Sequence, residues 1–130
     1  MYKEDIEVAK QARLNAYSPY NKFTVGAALR TKSGKIYTGC NIDNQGIQSI
    51  CAERTAFAKA ISEGEKDFES ITIVGGFIDE EPKGICVPCG YCRQFMSEFV
   101  NKDFKIITVE QNGNVKEFTL EELLPYNFNI

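Results

Sequence analysis

Apolar side chains open the chain at helical spacing: Ile6, Val8, Ala9, Ala12 and Leu14 stand among charges, which predicts an amphipathic helix over residues 5–15. Ser18-Pro19 ends it, because proline disfavours helical geometry in the residue before it. From 23 to 30 the pattern becomes the nearly continuous run FTVGAALR, a buried strand. Residues 35–40 (KIYTGC) pair back on it across the turn signal Ser33-Gly34. Gly26, inside that first strand, marks a bulge or a place where a ligand approaches the backbone. Residues 41–50 are polar and irregular, a loop. Residues 51–63 place Ala52, Ala56, Ala60 and Ile61 at helical spacing, and Gly64 stops the helix.

The β-branched run at 69–78 (ESITIVGGFI) reads as a central strand, and 82–88 as loop. A third helix is expected over 89–101, opened by Pro88. A strand over 105–110, a turn at 112–114 and a short strand over 115–118 follow. Thr119 and Glu122 have the spacing of a capping box, and Pro125 ends the turn it opens. Five strands interleaved with helices predict a mixed sheet. The hairpin supplies an antiparallel pair, the strand-helix-strand units supply parallel neighbours, and helices cover both faces. The expected class is α/β, a three-layer α/β/α sandwich. The 130 residues carry no repeat or linker and are expected to form one domain.

Composition narrows the function. The first ten residues, MYKEDIEVAK, do not resemble a signal peptide, and no apolar run approaches the roughly 18 residues of a membrane span. A cytoplasmic protein without a membrane partner is expected. A formal net charge of −3 with scattered basic residues lacks the basic stripe of a nucleic-acid polymer binder. The chain has no histidine, so His-based zinc sites, His-assisted nucleophiles and a His general base are excluded. Five cysteines, an odd count without a secretory signal, argue for metal ligation or redox chemistry over a disulfide framework.

The cysteines fall at helix starts. Cys51 opens the second predicted helix, and Cys89 and Cys92 open the third, three residues apart and on one face. Positive dipole ends there favour thiolate, the form that binds metal. Three thiolates would give zinc three protein ligands and leave a fourth position for water, the arrangement of a catalytic site. Glu53, two residues past the first ligand, reaches the space ahead of the same helix and is the candidate for general acid–base work. Arg54 is expected to hydrogen-bond a coordinating sulfur and offset its charge, with a surface ion pair as the alternative.

Competing readings exist for most of these residues. Cys89 and Cys92 alone match a thioredoxin-like redox pair, which leaves Cys51 and Glu53 without a role. Cys86 has ligand spacing to Cys89 and would close a structural zinc site. Cys40 reads as a small buried hydrophobe. Asn41 and Asp43 have a second reading as turn formers, and Phe23 as core.

Cys51-Ala52-Glu53-Arg54 with Pro88-Cys89-Gly90-Tyr91-Cys92-Arg93-Gln94 resembles the signature of cytidine deaminases in their small three-cysteine form. Tyr17-Ser18-Pro19-Tyr20, residues 23–29, Gly39-Cys40-Asn41 and Leu123-Leu124-Pro125 extend the resemblance over most of the chain. It implies hydrolytic deamination of cytidine and 2′-deoxycytidine in pyrimidine salvage, with one zinc ion per subunit. By the same resemblance Glu53 moves the protons and the Ala52 N–H holds the ring carbonyl. Asn41 and Asp43 bind the sugar hydroxyls, and Phe23 packs on the base or sugar. Phe128 reaches into a neighbouring subunit's site, within a homotetramer whose active sites are shared. The chain departs from the family at Asp43, where glutamate is usual, and at Ile47, where an aromatic is usual. Those departures leave open a modified cytosine nucleoside such as blasticidin S as the substrate.

Overall fold

A computed structural model describes residues 2–82, 84–110 and 112–130. Helix α1 (Lys3–Arg13) leads into the hairpin β1 (Phe23–Thr31) and β2 (Ile36–Cys40), then α2 (Ala52–Ser62), β3 (Phe68–Phe77) and α3 (Gly90–Ser97). The chain closes with β4 (Lys105–Val109), β5 (Val115–Thr119) and the short helix α4 (Leu120–Leu123). The five strands form one sheet in the order β2-β1-β3-β4-β5. Strand β1 is antiparallel to both β2 and β3, β3 is parallel to β4, and β4 is antiparallel to β5. The mixed sheet of the sequence reading is the one observed.

Strand alternation divides the core in two. On one face Ala28, Val74 and Val109 pack with Ala9 of α1. On the other, Ala27, Leu29, Ile71, Ile73 and Ile106 pack with Ala52, Ala56, Phe57 and Ala60 of α2 and Cys92 and Met96 of α3. Phe57 is the hub of this larger side: fully buried, its ring lies 5.2 Å from that of Phe68 and 6.2 Å from that of Phe104. Helices therefore lie on both faces, as the three-layer reading expected. The capping box at Thr119 and Glu122 is formed in both directions.

Three local expectations are corrected. Helix α1 starts and stops two residues early, because Leu14 faces solvent at 74% exposure while Arg13 turns inward at 8%. The Arg13 guanidinium bonds the Thr24 hydroxyl (2.9 Å) and the carbonyls of Phe77 (2.7 Å) and Glu80 (2.6 Å). Helix α3 ends at Ser97 rather than near 101. The Ser97 hydroxyl donates back to the Gln94 carbonyl at 2.6 Å, a local bond that competes with helix continuation. Gly26 marks neither a bulge nor a ligand approach. A Cβ there would collide with the Ala9 carbonyl and lie 2.6 Å from the Arg13 nitrogen, so it lets α1 close on β1; the register shift falls instead between Arg30 and Thr31.

Candidate active site

Gly39 does for α2 what Gly26 does for α1. A Cβ on Gly39 would strike the Ala52 carbonyl and lie 2.6 Å from the Ala56 nitrogen, so the first turn of α2 rests directly on β2. The Thr55 hydroxyl adds a bond to the Cys40 carbonyl at 3.1 Å. The start of α3 is fixed from its own side. Arg93 bonds the Pro88 carbonyl (2.7 Å) and the Leu123 carbonyl (2.8 Å), tying the approach to α3 to the C-terminal turn.

The two helix N-termini meet. Cys51 is the N-cap of α2 and Cys89 the N-cap of α3, both extended and neither side chain used as a cap, while Cys92 lies in the first turn of α3. The three sulfurs all fall within 4.8 Å of one another. Cys51 and Cys89 are 3.8 Å apart, and Cys89 and Cys92 are 3.6 Å apart. Thiolates at about 2.3 Å from a tetrahedral zinc sit about 3.8 Å from each other, so this donor set fits zinc. The fit extends to charge. Cys51 is held down at about 5, chiefly because the Cys92 thiol donates to it and secondarily by Arg54. Cys92 keeps its proton, since that bond and burial both push it up. Metal binding would displace the remaining protons.

Arg54 donates to the Cys51 sulfur at 3.7 Å and to the Ser49 carbonyl at 2.8 Å, with its guanidinium 4.3 Å from the centre of the Tyr91 ring. Zinc with three thiolates carries one net negative charge, which this cation opposes. Glu53 is 4% exposed, and burial lifts its carboxyl to about 7 with a smaller push from the Cys51 charge. A carboxyl poised near neutrality is suited to passing protons in both directions.

A cavity of about 210 Å³ opens beside the cluster, its lining shared by Cys51, Ala52, Glu53 and Cys89 and by Asn41, Asp43, Asn21 and Ser49. Phe23 is in its wall and packs edge-on against Phe77, ring centroids 5.4 Å apart. The structure thus brings nine of the ten residues singled out in the sequence to one place: seven line the cavity, Cys92 joins them through the sulfur cluster, and Arg54 bonds the Cys51 sulfur. Phe128 is not among them. It is 71% exposed and lies with Tyr91, Phe95 and Phe99 in a separate depression, where Gln94 bonds its carbonyl at 2.9 Å.

Cys86 lines the cavity but lies outside the three-sulfur cluster found among the described residues, and burial pushes its thiol up to about 12. It is a wall residue, which removes the closed four-cysteine site. Ile47 points to solvent at 72% exposure. Sequence reasoning missed Ser18, which is 6% exposed and donates to Asp43 at 2.9 Å. Its only signal was its place in the Tyr17-Ser18-Pro19-Tyr20 motif.

Comparisons with known proteins agree with this geometry. The family described as "Cytidine and deoxycytidylate deaminase zinc-binding region" matches residues 2–108. A cytidine deaminase from Sporosarcina psychrophila is 42% identical over 125 residues, 95% of this chain and 88% of the relative. A blasticidin-S deaminase from Bacillus cereus is 38% identical over 129 residues, 96% of this chain and 90% of the relative. The crystal structure of cytidine deaminase from Burkholderia pseudomallei superposes with a TM-score of 0.88 at 38% identity, covering 98% of this chain and 99% of that one. With its three-cysteine cluster at two helix starts and a buried glutamate beside it, this chain belongs to the zinc-binding cytidine and deoxycytidylate deaminase family.

Proposed function

We propose that the protein hydrolyses the exocyclic amino group from cytidine and 2′-deoxycytidine, giving uridine or 2′-deoxyuridine and ammonia. The observation that carries this is the buried Glu53 sharing one small cavity with Cys51 and Cys89, two of the three sulfurs of the cluster that Cys92 completes. The three sulfurs would hold zinc, which when bound lowers the pKa of a water beside it and so supplies the nucleophile. Glu53 Oε takes a proton from the attacking water and gives it to the ring nitrogen next to the amino-bearing carbon. It then transfers the second proton to the amino nitrogen as the C–N bond breaks and ammonia leaves. The Ala52 N–H, at the first turn of α2, donates to the ring carbonyl oxygen. Asn41 and Asp43 take the sugar, and Phe23 packs on the base or sugar.

Among the described residues the cavity lining holds Asp43 and Glu53 and no lysine or arginine. That favours a free nucleoside over a phosphorylated one or a polymer. The exposure of Phe128 and Tyr91, in a depression floored by the partly buried Phe95 and Phe99, supports a homotetramer in which Phe128 completes a neighbour's site. A cytoplasmic enzyme of pyrimidine salvage follows from that substrate choice.

The ultraviolet band of cytidine, 2′-deoxycytidine, free cytosine and blasticidin S tests the reading. Turnover of the first two and not of cytosine supports it. Turnover of blasticidin S alone replaces the substrate and keeps the chemistry, an outcome favoured by the Bacillus cereus relative and by Asp43. No turnover by zinc-loaded protein overturns it.

A further inference from the structure

We propose that Ser18 is the positioning residue that sets the Asp43 carboxylate against the sugar, and through it the site's demand for free secondary hydroxyls; this rests on the nucleoside deaminase reading. The backbone lays the two segments side by side. Tyr17 N–H donates to the Asn41 carbonyl at 3.0 Å and Asp43 N–H to the Tyr17 carbonyl at 2.9 Å, a parallel bridge. Ser18 therefore comes out of that bridge facing Asp43. Its hydroxyl, nearly excluded from solvent, lies 2.9 Å from Asp43 Oδ2 and 2.9 Å from Asn21 Oδ1. One hydroxyl proton faces two acceptors, and Asn21 Oδ1 already accepts the Phe23 N–H at 3.0 Å. A carboxylate oxygen is a stronger acceptor than an amide oxygen, so Asp43 is the stronger claimant.

Asn41 Nδ2 holds the other carboxylate oxygen, Oδ1, at 3.2 Å. Each oxygen of Asp43 thus has one donor, which fixes the rotation of the group while leaving lone pairs free for the cavity. Asn41 is committed elsewhere. Its Oδ1 accepts the Val25 N–H at 2.8 Å, and its second amide proton goes to the Phe23 carbonyl at 3.1 Å. Asp43 is therefore the main acceptor for sugar hydroxyls, and Ser18, which does not line the cavity, acts through it. A carboxylate one methylene shorter than glutamate must be held in place to meet the sugar, and Ser18 does the holding.

The test compares the wild-type zinc enzyme with Ser18→Ala and Ser18→Thr on cytidine and on 2′,3′-dideoxycytidine, which has no secondary hydroxyl. Zinc content and melting temperature are measured on the same preparations. In Ser18→Ala the KM for cytidine should rise about tenfold with kcat within about twofold, the size expected for losing one hydrogen bond to a charged group. The KM for dideoxycytidine should not move, and Ser18→Thr, which keeps the hydroxyl, should restore the cytidine KM. An unchanged cytidine KM, an equal rise for both substrates, or a fall in kcat overturns the proposal while leaving the deaminase reading standing. A wild-type enzyme inactive on both nucleosides overturns that reading and this proposal with it.

Discussion

Substituting Gly39 by alanine should damage the metal centre without touching any residue in it. The added Cβ would lie 2.6 Å from the Ala56 nitrogen and 3.1 Å from the Ala56 Cα, and closer still to the Ala52 carbonyl. All three are backbone atoms of α2, so no side chain can turn away. Ordinary contact of about 3.5–4.0 Å requires the first turn of α2 to retreat by about 1 Å. Cys51 and Glu53 ride on that turn, while Cys89 and Cys92 stay with α3. The Cys51–Cys89 sulfur spacing of 3.8 Å would then leave the window of about ±0.2 Å that a zinc site tolerates, while the 3.6 Å spacing of Cys89 and Cys92 within α3 stays as it is.

Overpacking of this kind costs about 1–3 kcal/mol of fold stability, and a 1 Å misplacement of reacting groups costs about 100-fold in rate. Gly26→Ala is the control. It forces α1 off β1 through an equally close contact, 2.6 Å to the Arg13 nitrogen, on the other face of the sheet. Both variants should lose stability in urea unfolding, but only Gly39→Ala should lose zinc in competition with a chelator. Equal loss of zinc in the two, or wild-type zinc affinity in Gly39→Ala, refutes the argument that the glycine sets the helix position.

Arg54→Gln removes a guanidinium 3.7 Å from the Cys51 sulfur, and zinc affinity should fall about tenfold or more, as for a hydrogen bond to a charged group. Chelator competition reads this, and unchanged affinity would make Arg54 a bystander. Phe57→Ala empties the hub of the larger core and should cost about 3–5 kcal/mol in urea unfolding; a loss under about 1 kcal/mol would contradict the packing described. In zinc-loaded protein, alkylation of Cys86 should be slow at pH 8 and accelerate as pH rises toward about 12, because burial holds the thiol protonated below that. Mass spectrometry of the labelled peptide checks it. Labelling at pH 8 as fast as a free thiol contradicts the burial.

Much of the site was legible because its parts are local. Helix starts announce themselves by caps and prolines, so Cys51, Glu53, Cys89 and Cys92 could be placed at two N-termini before their meeting was seen. The sheet was legible for the same reason, since β3 and β4 are rich in β-branched residues and the hairpin of β1 and β2 is marked by its turn signal. What escaped the sequence is long-range. Gly26 is needed by a helix that precedes it by a dozen residues, and nothing in FTVGAALR says that Ala9 is the neighbour. Arg13 reads as a surface charge, and its burial depends on carbonyls 64 and 67 positions away. The bond from Ser18 to Asp43 spans 25 positions and joins two loops, where neither periodicity nor propensity carries information. Phe128 stands apart from the cavity of its own chain, and a pattern in one chain cannot say whose cavity an aromatic near its C-terminus would enter.

The most direct measurement is turnover of cytidine by Glu53→Gln alongside its zinc content and melting temperature. The variant keeps size and hydrogen-bonding capacity at a position only 4% exposed, but it cannot carry the proton. It should retain one zinc per chain and a near wild-type melting temperature, with turnover reduced about 10²- to 10⁴-fold or more. Activity within a few-fold of wild type in a zinc-loaded Glu53→Gln protein would contradict the account at its centre.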